Sequence, residues 1–191
     1  MDRRTKRYLA AAVLLLFTVL VTALLRVSVP LGATGGGRDA GVYVTLGDAC
    51  AFLAVLLLGA PWGALAAALG MALADLIVGS YSYIIGTLLI KGGMALFIGT
   101  FGARCAGWRS CLRAALLAEA IMAAGYFVYD LTVFGQYLVA AYEIPLNLAQ
   151  GLVCGLIGAW LLHRLPERLR GAFDPSGRGL PARAGQHRRV R

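Results

Sequence analysis

Six apolar runs, most of them about as long as a helix must be to cross a bilayer, divide this chain and leave little room for any other plan. Crossing about 30 Å of hydrocarbon takes about 20 residues at 1.5 Å each. Runs beginning near Tyr8, Tyr43, Trp62, Tyr83, Cys111 and Glu143 fill most of the 191 residues. A single segment in lipid must satisfy its own backbone hydrogen bonds, which means an α-helix. Composition agrees, with 60% hydrophobic and 14% charged residues, against about a quarter charged in soluble domains. The predicted fold class is all-α, a polytopic membrane protein forming one six-transmembrane-helix bundle over residues 1–166, with a basic tail over 167–191.

A net charge of +9 would suit a nucleic-acid binder, but the cations fall in three groups rather than along one face. Arg3, Arg4, Lys6 and Arg7 precede the first run. Arg104, Arg109 and Arg113 separate the fourth from the fifth, and Arg164, Arg168, Arg170 and the Arg-rich tail follow the last. The positive-inside rule puts all three groups on the cytoplasmic side, which requires an even number of spans and makes both termini cytoplasmic. The expected surroundings are the lipid bilayer of the cell membrane, with no nucleic-acid partner. The first run, Tyr8 to Val27, is longer than a signal-peptide h-region and lacks an A-x-A exit, so it is read as a retained helix. Cys50, Cys105, Cys111 and Cys154 form no CxxC pair. With Cys105 and Cys111 facing a reducing cytosol, no structural disulfide is expected.

Between the first two helices, Ser28 to Val42 contains Pro30 and Gly35-Gly36-Gly37 and reads as a long external loop. Helix two is predicted over Tyr43 to Leu58. The tight Gly59-Ala60-Pro61 turn then makes an antiparallel hairpin with helix three, Trp62 to Val78. Helix four covers Tyr83 to Phe101, helix five Cys111 to Phe134, and helix six Glu143 to His163, with Pro145 in its first turn, where a missing N–H does no harm. The external connections carry Tyr81, Gln136, Tyr137 and Tyr142, as an interfacial aromatic belt would. Ala60, Ala64, Ala68 and Ala72 recur every four residues on helix three beside Gly63, Ala67 and Met71, a stripe read as close internal packing. From Glu167 to Arg191 the chain is rich in Arg, Gly and Pro without apolar periodicity, so a disordered cytoplasmic tail near anionic lipid is expected.

An ionisable residue at the bilayer centre costs on the order of 2.5–3.5 kcal/mol on insertion scales, so each one retained there is a functional candidate. This chain places Asp48 near the external start of helix two, Asp75 near the external end of helix three, Lys91 midway along helix four, Glu119 within helix five and Asp130 near its external end. Helical spacing groups them. Tyr83, Thr87 and Lys91 lie four residues apart on one stripe, Glu119, Met122, Tyr126 and Tyr129 or Asp130 share a face of helix five, and Asn147, Gln150 and Cys154 line helix six. Converging, these stripes would enclose a pocket in the outer half of the bundle suited to a small, flat, hydrogen-bonding heterocycle. The plainer alternative is that Lys91 pairs with Glu119 or Asp75 only to neutralise charge, while Asn147 and Gln150 tie helices together in a structural or assembly protein. Enzyme chemistry finds no footing: there is no HExxH, no nucleophile elbow and no Gly-rich nucleotide loop, and His163 and His187 are the only histidines. A membrane enzyme using Glu119 or Asp130 as an acid or base would still need a nucleophile or metal. No cofactor and no metal are expected.

Three stretches carry a family resemblance. GDACAFLAVLLLGAPWGALAAALGMALADLIVGSYSYIIGTLLIKGG runs from Gly47 to Gly93, EAIMAAGYFVYD from Glu119 to Asp130, and IPLNLAQGLVCGLIGA from Ile144 to Ala159. In this order they resemble the substrate-binding S components of energy-coupling factor vitamin transporters, in the riboflavin-type, HmpT-like branch. The resemblance implies a six-helix subunit that binds a micronutrient from outside beneath loops one, three and five. It further implies association with a transmembrane scaffold subunit and two cytoplasmic ATPase subunits, and toppling in the membrane to release the cargo inward. Proteins similar to this branch are associated with pyrimidine thiamine precursors, vitamin B6 forms, flavins and queuosine precursors. Where many S components carry an Ala-x-x-x-Ala docking motif in helix one, this chain has Thr18 and Thr22 as the nearest pair, and these are the expected partner-docking residues.

Overall fold

Helix breakers and β-branched residues set the element boundaries in the computed structural model, which describes residues 2–29, 42–105, 107–135 and 137–164. Helix α1 spans Arg3–Leu24, and Asp2 caps it by accepting a hydrogen bond from the Thr5 amide at 2.7 Å. Strands β1 (Arg26–Val29) and β2 (Val42–Thr45) follow, then α2 (Gly47–Leu58) and α3 (Ala60–Val78). A 3₁₀ turn at Tyr81–Tyr83 leads into α4 (Ile84–Thr100), and another at Gly102–Arg104 precedes α5 (Trp108–Tyr129). Helix α5 widens into a π-helical turn at Asp130–Phe134, and α6 covers Tyr137–Arg164. Most of the expected loop over 28–42, Gln136 and the expected tail over 167–191 lie outside the described residues.

Two expectations at the first connection are corrected. Helix one stops at Leu24 rather than Val27, and helix two starts at Gly47 rather than Tyr43. The residues between pair as an antiparallel ribbon with Val27 opposite Val44 and Ser28 opposite Tyr43. Val27, Val29, Val42, Val44 and Thr45 are stiff at χ1 and suit a pleated strand better than a helix. The apolarity of Val27 and Val44, which reads as a span end, hides that preference. A third correction concerns Pro145, which sits inside α6 rather than in its first turn, because the helix begins eight residues earlier at Tyr137.

The described residues form six α-helices, five of which are long and apolar enough to cross a membrane: Arg4–Leu24, Ala60–Val78, Tyr81–Thr100, Trp108–Val133 and Val139–Arg164. The sixth, α2, has 12 residues and covers about 18 Å, well short of the hydrocarbon thickness. It is apolar on every side, and nine of its residues, among them Phe52, Val55 and Leu56, are buried against its neighbours. A helix so enclosed meets protein rather than lipid and need not match the bilayer itself.

The antiparallel order sorts the ends of the bundle. Tyr8 meets Trp62 edge-to-face at 5.9 Å, with Arg7 stacked over both rings, and Trp108 meets His163 at 6.1 Å. Arg4, Lys6, Arg7, Arg104, Arg109, Arg113 and Arg164 thus gather at one end. The β-ribbon, the α3–α4 turn and the α5–α6 turn gather at the other. Gly79 makes the α3–α4 turn possible: it caps α3 at φ 88°, a left-handed conformation that a side chain disfavours.

The small-residue stripe of α3 is used internally, with Ala64, Ala68 and Ala72 all buried. A Cβ on Gly70 would lie 2.9 Å from both the Leu15 carbonyl and the Thr18 side chain, so α1 and α3 approach almost backbone to backbone. Thr18 and Thr22, the expected docking pair, face into the bundle rather than outward. They are 0% and 1% exposed, and the Thr18 hydroxyl donates back to the Leu14 carbonyl at 2.8 Å. The small pair lets α1 close against its own bundle. Leu9, Val13, Leu16, Phe17 and Leu20 form the exposed face instead.

Candidate functional site

A recess of about 480 Å³, measured out to its mouth, opens at the ribbon end of the bundle, away from the clustered cations. Its walls come from every major element except α2: Thr22 of α1, Tyr43 and Thr45 of β2, Met71 and Asp75 of α3, Ser80 of the following turn, Tyr83, Thr87 and Lys91 at and along α4, Tyr126 of α5, and Glu143, Asn147 and Gln150 of α6. The predicted stripes on α4 and α6 converge here, and Asp75 and Tyr126 join them.

Beneath the floor lies a buried ion pair. Lys91 donates to both carboxylate oxygens of Asp48, at 2.6 and 2.8 Å, with side chains 5% and 0% exposed. This corrects the expected partner of Lys91, which is neither Glu119 nor Asp75. Asp48 lies in the first turn of α2, at the positive end of the helix dipole, which favours a carboxylate. Gln150 completes the arrangement: its amide donates to Asp48 Oδ2 at 2.5 Å while its carbonyl accepts from the Thr45 backbone at 2.7 Å. One side chain thereby ties α6, α2 and β2 together around the charge. The Lys91 ammonium also lies 5.4 Å from the centre of the Tyr126 ring, and the Tyr126 hydroxyl shares a 2.8 Å hydrogen bond with Thr87.

Higher up, phenols meet carboxylates. Tyr43 donates to Asp75 Oδ1, and burial, reinforced by the Asp75 charge, pushes the Tyr43 phenol well above its usual range. Tyr83 lies 2.8 Å from Glu143 Oε1 and 3.1 Å from Asp130 Oδ1, and Asn147 donates to Glu143 Oε2 at 3.5 Å. The phenol has one proton to offer two carboxyl groups.

Several expected residues stand behind the surface rather than on it. Asp48, Glu119, Tyr129 and Asp130 do not line the recess. Tyr129 donates to the Ser82 carbonyl at 2.8 Å and packs where a Cβ on Gly86 would otherwise stand. Glu119 is buried beside Asp48 and Lys91, and Asp130 backs Tyr83. Conversely, Thr22, Tyr43, Thr45, Met71, Ser80 and Glu143 line the recess without having been singled out as substrate ligands. Glu143 was within reach of the sequence, since it lies four residues before Asn147 on the same stripe. Pro145 drew the helix start onto it and hid the pattern. Nothing local marks Tyr43, which enters through the ribbon. Among the described residues no group of three or more His, Cys, Asp or Glu is placed to hold a metal ion.

A helical membrane bundle with a polar recess assembled at one end, above an internally neutralised ion pair, defines a membrane protein built to hold a small solute. Sequence comparison gives the class its name. The model of the family described as ECF-type riboflavin transporter, S component, matches residues 3–167, and the chain belongs to that family. It is a family of transporter binding components rather than of enzymes, so the chain is a multi-pass membrane subunit that binds a vitamin-like substrate for an energy-coupling factor transporter. The chain is also 29% identical over 151 residues to a protein of Pyrococcus woesei described as an uncharacterized protein in gap 3'region, a match covering 79% of this chain and 96% of that one.

Proposed function

We propose that this subunit captures its solute from outside the cell in the recess at the ribbon end and delivers it through a transmembrane scaffold subunit powered by two cytoplasmic ATPase subunits. The observation that carries this reading is the recess itself. Its lining brings the aromatic rings of Tyr43, Tyr83 and Tyr126 together with a few convergent polar groups, Asp75, Lys91, Asn147 and Gln150, as small-molecule sites do. It lies at the end opposite the cation clusters, which the positive-inside rule makes the external end, so that both termini are cytoplasmic. The site residues are Tyr43, Asp75, Tyr83, Thr87, Lys91, Tyr126, Glu143, Asn147 and Gln150, with Asp48, Glu119, Tyr129 and Asp130 supporting them from behind.

The Asp48–Lys91–Gln150 arrangement holds the floor in one geometry before the solute arrives, which lowers the ordering cost of binding. The cargo belongs to the range from a pyrimidine thiamine precursor or vitamin B6 form to a flavin or queuosine precursor. Titration of purified protein with this panel tests the reading. Trp62, Trp108 and Trp160 all lie at the opposite end, so the reporter is tyrosine emission from Tyr43, Tyr83 and Tyr126. One compound at submicromolar concentration is expected to saturate the signal, and Asp75→Ala, Lys91→Ala and Asn147→Ala to weaken it. Unchanged affinity in all three variants would move the site elsewhere. Co-purification with ATPase subunits is expected, and an unrelated complex in their place would refute the transport role.

A further inference from the structure

Charge in and around the recess is strongly one-sided. Among the described residues the buried ionisable acids and bases are Asp48, Asp75, Glu119, Asp130 and Glu143 against Lys91 alone. Lys91 is already matched by the two-oxygen contact with Asp48. Arg26 on β1 is half-buried, with Nη1 buried and without a hydrogen-bond partner among the described residues, and acts on Tyr43, but it does not line the recess. Two acids that do line it, Asp75 and Glu143, therefore face the cavity with no ion-pair partner among the described residues, although Lys91 and Thr87 both act on Asp75.

A second observation points into the same space. Asp75 Oδ2, Ser80 Oγ and Thr22 Oγ1 have no hydrogen-bond partner among the described residues, although all three residues line the recess and are only 2%, 1% and 1% exposed. Buried polar atoms are normally paired, and an unpaired carboxylate oxygen is the most costly of them to leave so. Three phenol rings, Tyr43, Tyr83 and Tyr126, stand in the same wall, and aromatic faces attract cations.

We infer that the cargo is a cation: a planar heterocycle bearing an ammonium, amidinium or quaternary nitrogen that seats between Asp75 and Glu143, with a neutral acceptor atom pointing down to Lys91. This rests on the proposed use of the recess and narrows it. The polarity follows from donor counting. Lys91 has three N–H donors and spends two on Asp48, leaving one for a ring nitrogen or carbonyl. At the rim, Asp75 and Glu143 offer acceptors, which an ammonium or amidinium can fill. An anionic form of the same ring would face two carboxylates at the rim and an already neutralised lysine at the floor.

Three planar isosteres of different charge make the test: benzamidine (+1), benzamide (0) and benzoate (−1), titrated calorimetrically into full-length protein in nanodiscs, with thiamine as a larger quaternary cation. A charged group hydrogen-bonded to a buried carboxylate should favour benzamidine over benzamide by about 10- to 100-fold, with benzoate silent. Asp75→Asn and Glu143→Gln are expected to bring the benzamidine-to-benzamide ratio towards one, the ratio within each variant being the readout rather than either affinity alone. Ser80→Ala serves as a milder second probe, and the melting temperature of each variant reports that it is folded. Benzamide binding as tightly as benzamidine, or a preference that survives both carboxamide variants, overturns the cation inference and leaves the recess as the site. If none of the four compounds binds saturably and the vitamin panel is equally silent, both the inference and the underlying reading fall.

Discussion

Removing either member of the Lys91–Asp48 pair should cost far more than removing both. At 2.6 Å and an effective dielectric constant of about 20, two unit charges attract by roughly 6 kcal/mol. Burial offsets much of this with a desolvation penalty of several kcal/mol per ion. The net value of the pair is therefore small, but the cost of orphaning one charge is not. Lys91→Met leaves Asp48 with the Gln150 hydrogen bond at 2.5 Å and no countercharge, and Asp48→Asn takes the paired carboxylate away from a buried ammonium, leaving Glu119 as the carboxyl beside it. Each single variant is expected to lose about 3–5 kcal/mol. At roughly 2–4 °C per kcal/mol for a chain of this size, that is a fall of about 6–20 °C in melting temperature. The Asp48→Asn/Lys91→Met double variant removes both charges of the pair and should recover at least half of the loss. Thermal melts of the four proteins in one detergent, read as a double-mutant cycle, give the coupling directly. Single variants within about 3 °C of the parent, or losses that simply add, would refute the claim that this pair is the neutralised floor of the recess.

Two further predictions concern turns and topology. Gly79→Val forces a β-branched side chain to φ 88° and should cost about 1–2 kcal/mol, read as a melting drop of several degrees. Gly93→Ala, inside α4 with open space where its Cβ would stand, should gain up to about 1 kcal/mol. The reverse order would undo the assigned α3–α4 turn. A membrane-impermeant maleimide on intact cells should label Tyr137→Cys, 76% exposed at the recess end, and spare Trp108→Cys, 41% exposed at the cation end, until the membrane is opened. The four native cysteines are buried and provide a quiet background. Labelling of the 108 site from outside would invert the proposed orientation.

Much of the bundle was legible along the chain because membrane constraints are local. Span length and backbone satisfaction mark α1, α3, α4, α5 and α6, and the grouping of Arg and Lys sorts their ends. Helical period alone placed Tyr83, Thr87 and Lys91 on one face, and Asn147 and Gln150 on another. Two local signals misled. The valines around the first loop read as helix ends because apolarity dominates in such a chain, and Pro145 read as a first-turn residue although α6 tolerates it in its interior.

What the order of residues determined, then, was the helices, their polarity and the stripes of polar side chains. What only the tertiary structure decided was who meets whom. Lys91 finds Asp48 across 43 positions of sequence, Thr45 finds Gln150 across 105, and Tyr43 finds Asp75 through a ribbon that no stripe foretold. The sequence offered Lys91 two acids, Glu119 and Asp75, and the fold pairs it with a third, Asp48. The choice among them depends on which helix starts beside α4, and that is α2, short, apolar and enclosed, delivering Asp48 from the first turn where its dipole favours a carboxylate. With that lysine matched, Asp75 and Glu143 are left to face the recess.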